Sequence, residues 1–112
     1  MRPVALIAGA LIWALSTLVS AAPDERLIDA VKRGNLAAVE SLLKQGVDVN
    51  ARQGDGATAL HWAAHQDDRA MVDRLIRAGA NVQTANELGV TPLLLACTHG
   101  RAPVVQALLS AG

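Results

Sequence analysis

The sequence predicts an all-α solenoid of about three stacked helix-turn-helix repeats, preceded by an N-terminal signal peptide. Two observations carry the solenoid. Sliding the 112-residue chain against itself by 33 positions brings the same residue into register three times at Leu27/Leu60/Leu93, Ala30/Ala63/Ala96, Val39/Val72/Val105, Leu42/Leu75/Leu108 and Gly46/Gly79/Gly112. A fixed period of that length marks a repeat array. Within the central unit, residues 52–84, turn, cap and helix signals follow one another in an order that a single supersecondary unit satisfies. A third observation, the apolar run ahead of Pro23, carries the signal peptide.

Taken in order, the chain opens with Arg2, an uncharged run from Val4 to Ala22, and then Pro23-Asp24-Glu25-Arg26. A positive start, an apolar middle and small residues before a polar segment are the marks of a secretory signal. Cleavage after Ala21 uses Val19-Ser20-Ala21 as the small-residue site, whereas cleavage after Ala22 would put Pro23 first in the mature chain. An uncleaved N-terminal membrane anchor is the alternative, because the run nearly reaches the roughly 20 residues that span a bilayer. Gly9, Ser16, Thr17 and Ser20 weigh against it. No twin arginine is present and no Cys follows the run, so neither a Tat signal nor a lipoprotein anchor is indicated. The domains expected are therefore 1–21, signal peptide, and 22–112, repeat domain, exported and with the periplasm as the expected compartment.

The first repeat, about 24–51, reads as a helix Arg26 to Lys32, a break at Gly34, a helix Leu36 to Lys44 and a stop at Gly46. Its start carries Asp24, Glu25, Arg26 and Asp29, a polar face that suits an N-terminal cap. In the second, 52–84, Gly54-Asp55-Gly56 supplies a tight turn. Thr58 caps a short Ala-rich helix, Ala59 to His65. Asp67 and Asp68 break that helix and open the next, because Asp tolerates left-handed backbone and favours a helix start. The second helix, Arg69 to about Ala78, has Met71, Val72, Leu75 and Ile76 on one stripe and ends at Gly79. The third repeat, 85–112, is the most apolar and incomplete, with Pro103 tolerated in the first turn of its second helix. Little on it offers the polar outer face of a terminal cap, so the chain reads as a possible fragment of a longer array.

These residues resemble the ankyrin repeat family. Thr58-Ala59-Leu60-His61-Trp62-Ala63-Ala64 and Thr91-Pro92-Leu93-Leu94-Leu95-Ala96-Cys97 are similar to its Thr-Pro-Leu-His-Leu-Ala-Ala signature. Gly46-Val47-Asp48-Val49-Asn50-Ala51 and Gly79-Ala80-Asn81-Val82 are similar to its closing loop. The resemblance covers about Glu25 to Gly112. Ala59 for Pro, Leu94 for His, Asp67 for Gly and Gln53 for Asp depart from the pattern and suggest locally weaker turns. The resemblance implies a structural role for His61, hydrogen-bonding near the repeat turn, and a protein partner held on the turn tips and first-helix faces. Carried over by position, the partner-binding candidates are Arg52, Gly54, Asp55, Ala57, His65 and Gln66, then Ala85, Glu87, Leu88, Val90, Thr98 and His99. Leu88 and Val90 are the apolar pair expected to be exposed.

Composition removes other functions. Ten basic and ten acidic residues give no net charge, and loss of Arg2 with the signal changes that by one. No field attracts nucleic acid, and with no Phe, no Tyr and two Trp, one of them in the signal, no stacking platform for bases exists. No membrane contact is expected after signal removal. His61 and His65 have the four-residue spacing of two metal ligands, yet Trp62-Ala63-Ala64 between them offers no general base and the remaining histidine, His99, is distant. Cys97, the only cysteine, occupies the position of Val31 and Ala64 and is expected to be a small core residue; no base beyond nearby His99 suggests a nucleophile. Trp62 matches a signature leucine, so packing is its expected role. No catalytic, metal or cofactor site is expected. The sequence thus predicts a non-catalytic, monomeric protein-binding module, the alternative being the front part of a longer exported protein in which the repeats position or protect an enzyme.

Overall fold

A computed structural model of the chain describes residues 25–100 and 102–112, together with all side chains in that range except that of His99. The expected signal peptide, residues 1–21, lies outside the described residues. Among the described residues six helices follow one another: α1 Arg26–Lys32, α2 Leu36–Lys44, α3 Ala59–His65, α4 Arg69–Arg77, α5 Pro92–His99 and α6 Ala102–Ala111. Among the described residues there is no strand. The predicted bounds of α1, α2 and α3 coincide with those observed, and α4 ends one residue earlier than expected because Ala78 is its C-cap.

Each hairpin of helices closes in the same way. Gly34 N–H donates to the Val31 carbonyl and Asn35 N–H to that of Ala30, while Asp67 and Asp68 repeat the pair onto Ala64 and Ala63. These are the two bonds of a Schellman motif, which requires a left-handed residue just past the helix. Gly34 (φ 68°), Asp67 (φ 56°) and Gly100 (φ 65°), spaced by the period, supply it. Asp67 stands where the other repeats use glycine, and its short polar side chain makes the left-handed region tolerable. Asn35 and Asp68 then cap α2 and α4, accepting from Ala38 and Met71 N–H at 3.1 Å. The second helices end likewise, with Val47 and Ala80 N–H on the Leu42 and Leu75 carbonyls.

Helices of seven to ten residues are too short to hold themselves in water. Here α1, α3 and α5 stack in a row, α4 packs on α6, and each first helix packs on its own second helix. One core runs through all three repeats, with Leu27, Val31, Val39, Leu60, Met71, Val72, Leu75 and Val104 all but fully buried. Ala63, Ala64 and Ala96 line the first-helix row and let the helices approach closely. Four of the five triply repeated positions thus recur in the core: all three of the Leu27 set line it or pack against it, as do those of Ala30, Val39 and Leu42.

Burial is not symmetrical along the stack. Val31 and Ala64 are inaccessible, but their equivalent Cys97 is exposed, which corrects the expectation of a core cysteine. Leu94 is 49% exposed where Ile28 and His61 are 2% exposed. The reason is that these positions are covered by the repeat that follows, and among the described residues no helix lies over α5 and α6. Leu109, at 59%, is open in the same way.

Truncation of a leucine buried between two neighbours costs about 2 to 5 kcal/mol, a large share of the roughly 5 to 15 kcal/mol a small domain holds. In a chain begun at Ala22, Leu60→Ala or Leu75→Ala is expected to abolish the cooperative circular-dichroism melt at 37 °C or shift it strongly downward. His65→Ala, at an exposed position, is expected to leave the melt within about 1 kcal/mol of the parent. The opposite ranking would mean that the repeat register is wrong.

Candidate functional site

The turns that project from the stack are built by backbone bonds that recur at the period. Gln53 N–H donates to the Ala57 carbonyl and Gly56 N–H to that of Gln53, both at 2.9 Å; Asn86 to Val90 and Gly89 to Asn86 repeat them at the same distance. Gly56 (φ 84°) and Gly89 (φ 78°) occupy the left-handed corner. In the second repeat the Asp55 carboxylate accepts from Ala57 N–H at 3.0 Å and from the Gln53 side-chain amide at 2.9 Å. These bonds hold the Asp55 carboxyl below its ordinary value, so the tip is anionic at neutral pH. In the third repeat Asn86 Oδ1 accepts from Leu88 and Val90 N–H instead. Gln53 stands in the place of an aspartate and Asn86 is its equivalent one period on, and each supplies a side-chain amide to the turn. The weakening expected at Gln53 is offset in this way.

Neighbouring turns are then sewn side by side. Glu87 N–H donates to the Asp55 carbonyl at 2.9 Å. The Arg52 guanidinium bridges the gap, with Nε on the Gly56 carbonyl at 2.9 Å and Nη2 on the Ala85 carbonyl. Below them lies the His61 ring, 2% exposed. Its Nδ1 accepts from Thr58 N–H at 3.0 Å and lies 3.0 Å from Thr58 Oγ1, while Nε2 is 2.8 Å from the Val90 carbonyl. An Nδ1 that accepts leaves the proton on Nε2, which therefore donates to Val90. Both ring nitrogens are engaged, so His61 has no lone pair to share with His65 on a metal ion. Among the described residues no group of three or more His, Cys, Asp or Glu side chains converges to hold one.

Along the first-helix row, the half-buried Trp62 is held from three sides. Its Nε1 donates to Gln53 Oε1 at 3.1 Å, the Lys32 ammonium lies 4.5 Å from the ring centroid, and His65 meets it edge-on at 6.0 Å. A cation over an indole face is worth about 0.5 to 1 kcal/mol at an exposed site. Packing was the expected role of Trp62, and the structure adds a polar clamp that leaves part of the ring accessible. Lys32 was absent from the sequence-derived candidates. Its signal was in the period: Lys32, His65 and Thr98 are equivalent positions, and only the first repeat's lack of a turn hid it.

The structure separates the candidates into groups. Asp55, Glu87, Leu88, His65 and Thr98 are exposed as expected, as is Gly54, and Leu88 at 88% is the most accessible large apolar side chain described. Ala57 is a correction: it is 5% exposed, because its position after the tip turns it in beneath the turn. Val90 is half-buried rather than exposed, since the same turn points it toward the joint that its carbonyl makes with His61; Ala85 is half-buried as well. Arg52 and Gln66 are exposed but committed to the neighbouring repeats, Gln66 Nε2 donating to the Lys32 carbonyl at 2.8 Å. The side chain of His99 lies outside the described residues. What remains is an acidic tip, Asp55 and Glu87, capped by Leu88, above a ledge formed by Lys32, Trp62, His65 and Thr98.

Comparison with known proteins agrees with this geometry. Residues 27–112 match the family described as ankyrin repeats (3 copies). The chain is 34% identical over 87 residues to the palmitoyltransferase Hip14 of Drosophila melanogaster, covering 77% of this chain and 14% of that protein. It is 35% identical over 92 residues to the tyrosine-protein kinase HTK16 of Hydra vulgaris, covering 80% and 12%. Among solved structures, the human ASB11 ankyrin repeat domain superposes with a TM-score of 0.75 at 35% identity, covering 80% of this chain and 40% of that one. The chain thus spans well under a quarter of the length of these two relatives.

The joined turns can be tested through their glycines. A Cβ on Gly56 would lie 3.2 Å from Glu87 N and 3.3 Å from both the Arg52 guanidinium and Asn86 Cα, whereas one on Gly89 meets nothing within 4 Å. Both carry a positive φ, so Gly89→Ala is expected to cost the backbone strain alone, about 1 to 2 kcal/mol. Gly56→Ala is expected to cost measurably more, since it also forces the turns apart. Urea titrations of the two variants would compare them directly, and equal losses would remove the stacked-turn contact from the account.

Proposed function

The chain belongs to the ankyrin repeat family, and on that premise we propose that it binds a protein partner, without catalysis of its own, through the turn tips and the first-helix ledge. Ankyrin repeats form protein–protein interaction modules; the finer assignment rests on one observation in particular. The partly open Trp62 ring is fixed by Gln53 and Lys32, Gln53 ties it to the anionic Asp55 of the tip, and Leu88 stands exposed on the next tip. Interface energy concentrates in a few aromatic and apolar anchors surrounded by polar residues, and anchors already held in place lose little entropy on docking. The partner is a protein of unknown identity, and the module acts after export, in the periplasm, following removal of residues 1–21.

A second reading places the repeats at the front of a longer exported protein, where they position or protect an enzyme. The two relatives named for a transferase and a kinase motivate it, because the matched segment is a small part of each. Sequencing of the gene beyond the Gly112 codon separates the readings.

Affinity capture from the exported fraction tests the surface. Trp62→Ala and Leu88→Ala are each expected to weaken retention of a specific partner by about 2 kcal/mol or more, roughly thirtyfold, while Lys44→Ala, on a second helix, leaves it unchanged. Equal retention by all three variants would dismiss this surface. Export has its own test. The mature protein is expected to start at Ala22, and N-terminal sequencing that found Val4 to Ala21 retained in a membrane fraction would favour the anchor.

A further inference from the structure

The two joints of the stack are chemically different. At the inward position of the first-helix row the repeats carry Ile28, His61 and Leu94. At this position the joint between the first and second repeats therefore closes on Ile28, which is apolar and 2% exposed. The joint between the second and third closes on a histidine that is also 2% exposed and whose two nitrogens face opposite demands. Nε2–H donates across the joint to the Val90 carbonyl at 2.8 Å, and Nδ1 accepts from Thr58 N–H at 3.0 Å. A second proton on the ring would have to sit on Nδ1, which faces Thr58 N–H and, also at 3.0 Å, the Thr58 hydroxyl. The hydroxyl oxygen can accept the new N–H, but Thr58 N–H then loses its acceptor and a charge is placed in a site only 2% exposed, and both are costly in a protein interior.

From this geometry we infer that the joint between the second and third repeats is an acid-sensitive latch: one proton on His61 Nδ1 undocks the third repeat while the first two remain stacked. The inference rests on the joint alone and stands whichever partner the surface takes. The charges around the ring allow it. Asp55 favours the imidazolium and Arg52 opposes it, and the backbone carbonyls of Val90 and Thr84 also favour the charged form. Burial outweighs them and holds the ring below the ordinary histidine value. On the other helices packed on α3, Arg26 and Arg77 are charged as well, and the remaining charged side chains have partners of their own. On α1, Asp29 pairs with Arg33 and Lys32 lies over Trp62; on α4, Arg69 pairs with Asp73 and Arg74 with Glu40. The described side chains of α5, Pro92 to Thr98, carry no ionisable group apart from Cys97.

The sign follows from linkage. The closed joint holds His61 neutral and the opened joint frees it to titrate near 6.5, so opening takes up one proton. Opening is therefore unaffected above about pH 7 and grows as pH falls below about 6.5, by up to about tenfold per pH unit until the depressed value of the closed ring is passed. Asp55 remains ionised across this window because its own value is held low.

Peptide-resolved hydrogen exchange on the 112-residue chain, corrected for the intrinsic pH dependence of exchange and taken between about pH 7.5 and 5, would read the latch. Protection of α5 and α6 is expected to fall with that slope while α1 and α2 keep theirs. His61→Gln preserves an acceptor for Thr58 N–H and a donor for Val90 without titrating, and is expected to remove the slope; His65→Gln is expected to retain it. In the unmodified protein the ring nitrogen shifts should report the Nε2–H tautomer at neutral pH, with protonation coinciding with the loss of protection, a measurement that decides the matter even if the glutamine variant does not fold. Protonation of His61 with α5 and α6 still protected, an undiminished slope in His61→Gln, or a uniform loss across all six helices would each overturn the inference.

Discussion

Everything in this molecule depends on burial between repeats rather than within them. A helix pair of seven and nine residues, such as α1 with α2 or α3 with α4, closes only one side of its apolar surface. The other sides must be supplied by neighbours, which is why a single continuous core replaces three small ones. The constraint fixes residue size along the first-helix row, where alanines alternate with leucines, and it fixes the closing geometry. Each repeat must hand the chain on in the same direction, so the turn past each first helix has to be left-handed every time.

That repetition shows how one local rule is satisfied by different chemistry. Gly34 and Gly100 reach positive φ freely, while Asp67 reaches it at some cost and the neighbouring Asp68 caps the next helix. The turns behave alike. Asp55 in one repeat and Asn86 in the next collect the same kind of backbone N–H groups from different sequence positions. The backbone path is what repeats, and side chains are interchangeable so long as they supply an acceptor where the path leaves a donor open.

Function on such a scaffold belongs to what the repeats do not share. The clamp on Trp62 draws Lys32 from one repeat and Gln53 from the next, so it exists only because the units are stacked. The histidine at the second joint is likewise unmatched at the first. The exposed ledge around Trp62 and the buried histidine at the second joint therefore occupy different sides of the same helix, α3.

The sequence by itself determined the period, the helix bounds of the first two repeats to within a residue, the helix starts at Thr58 and Asp68 and the left-handed breaks, because each is set by local chemistry: a Thr or Asp at a helix start, a Gly or Asp past a helix end, an apolar stripe at helical spacing. It also placed Asp55, Glu87 and Leu88 outside, since turn tips project whatever lies beneath them. Only the tertiary structure decided burial at positions that the period treats as equal. Ala57 turned inward beneath its tip, Arg52 and Gln66 were drawn into bonds with neighbouring repeats, and Cys97 stayed open where Ala64 is closed. The physical reason is that exposure in a stack depends on what lies on the next layer, and a 33-residue period is silent about which layers have a neighbour.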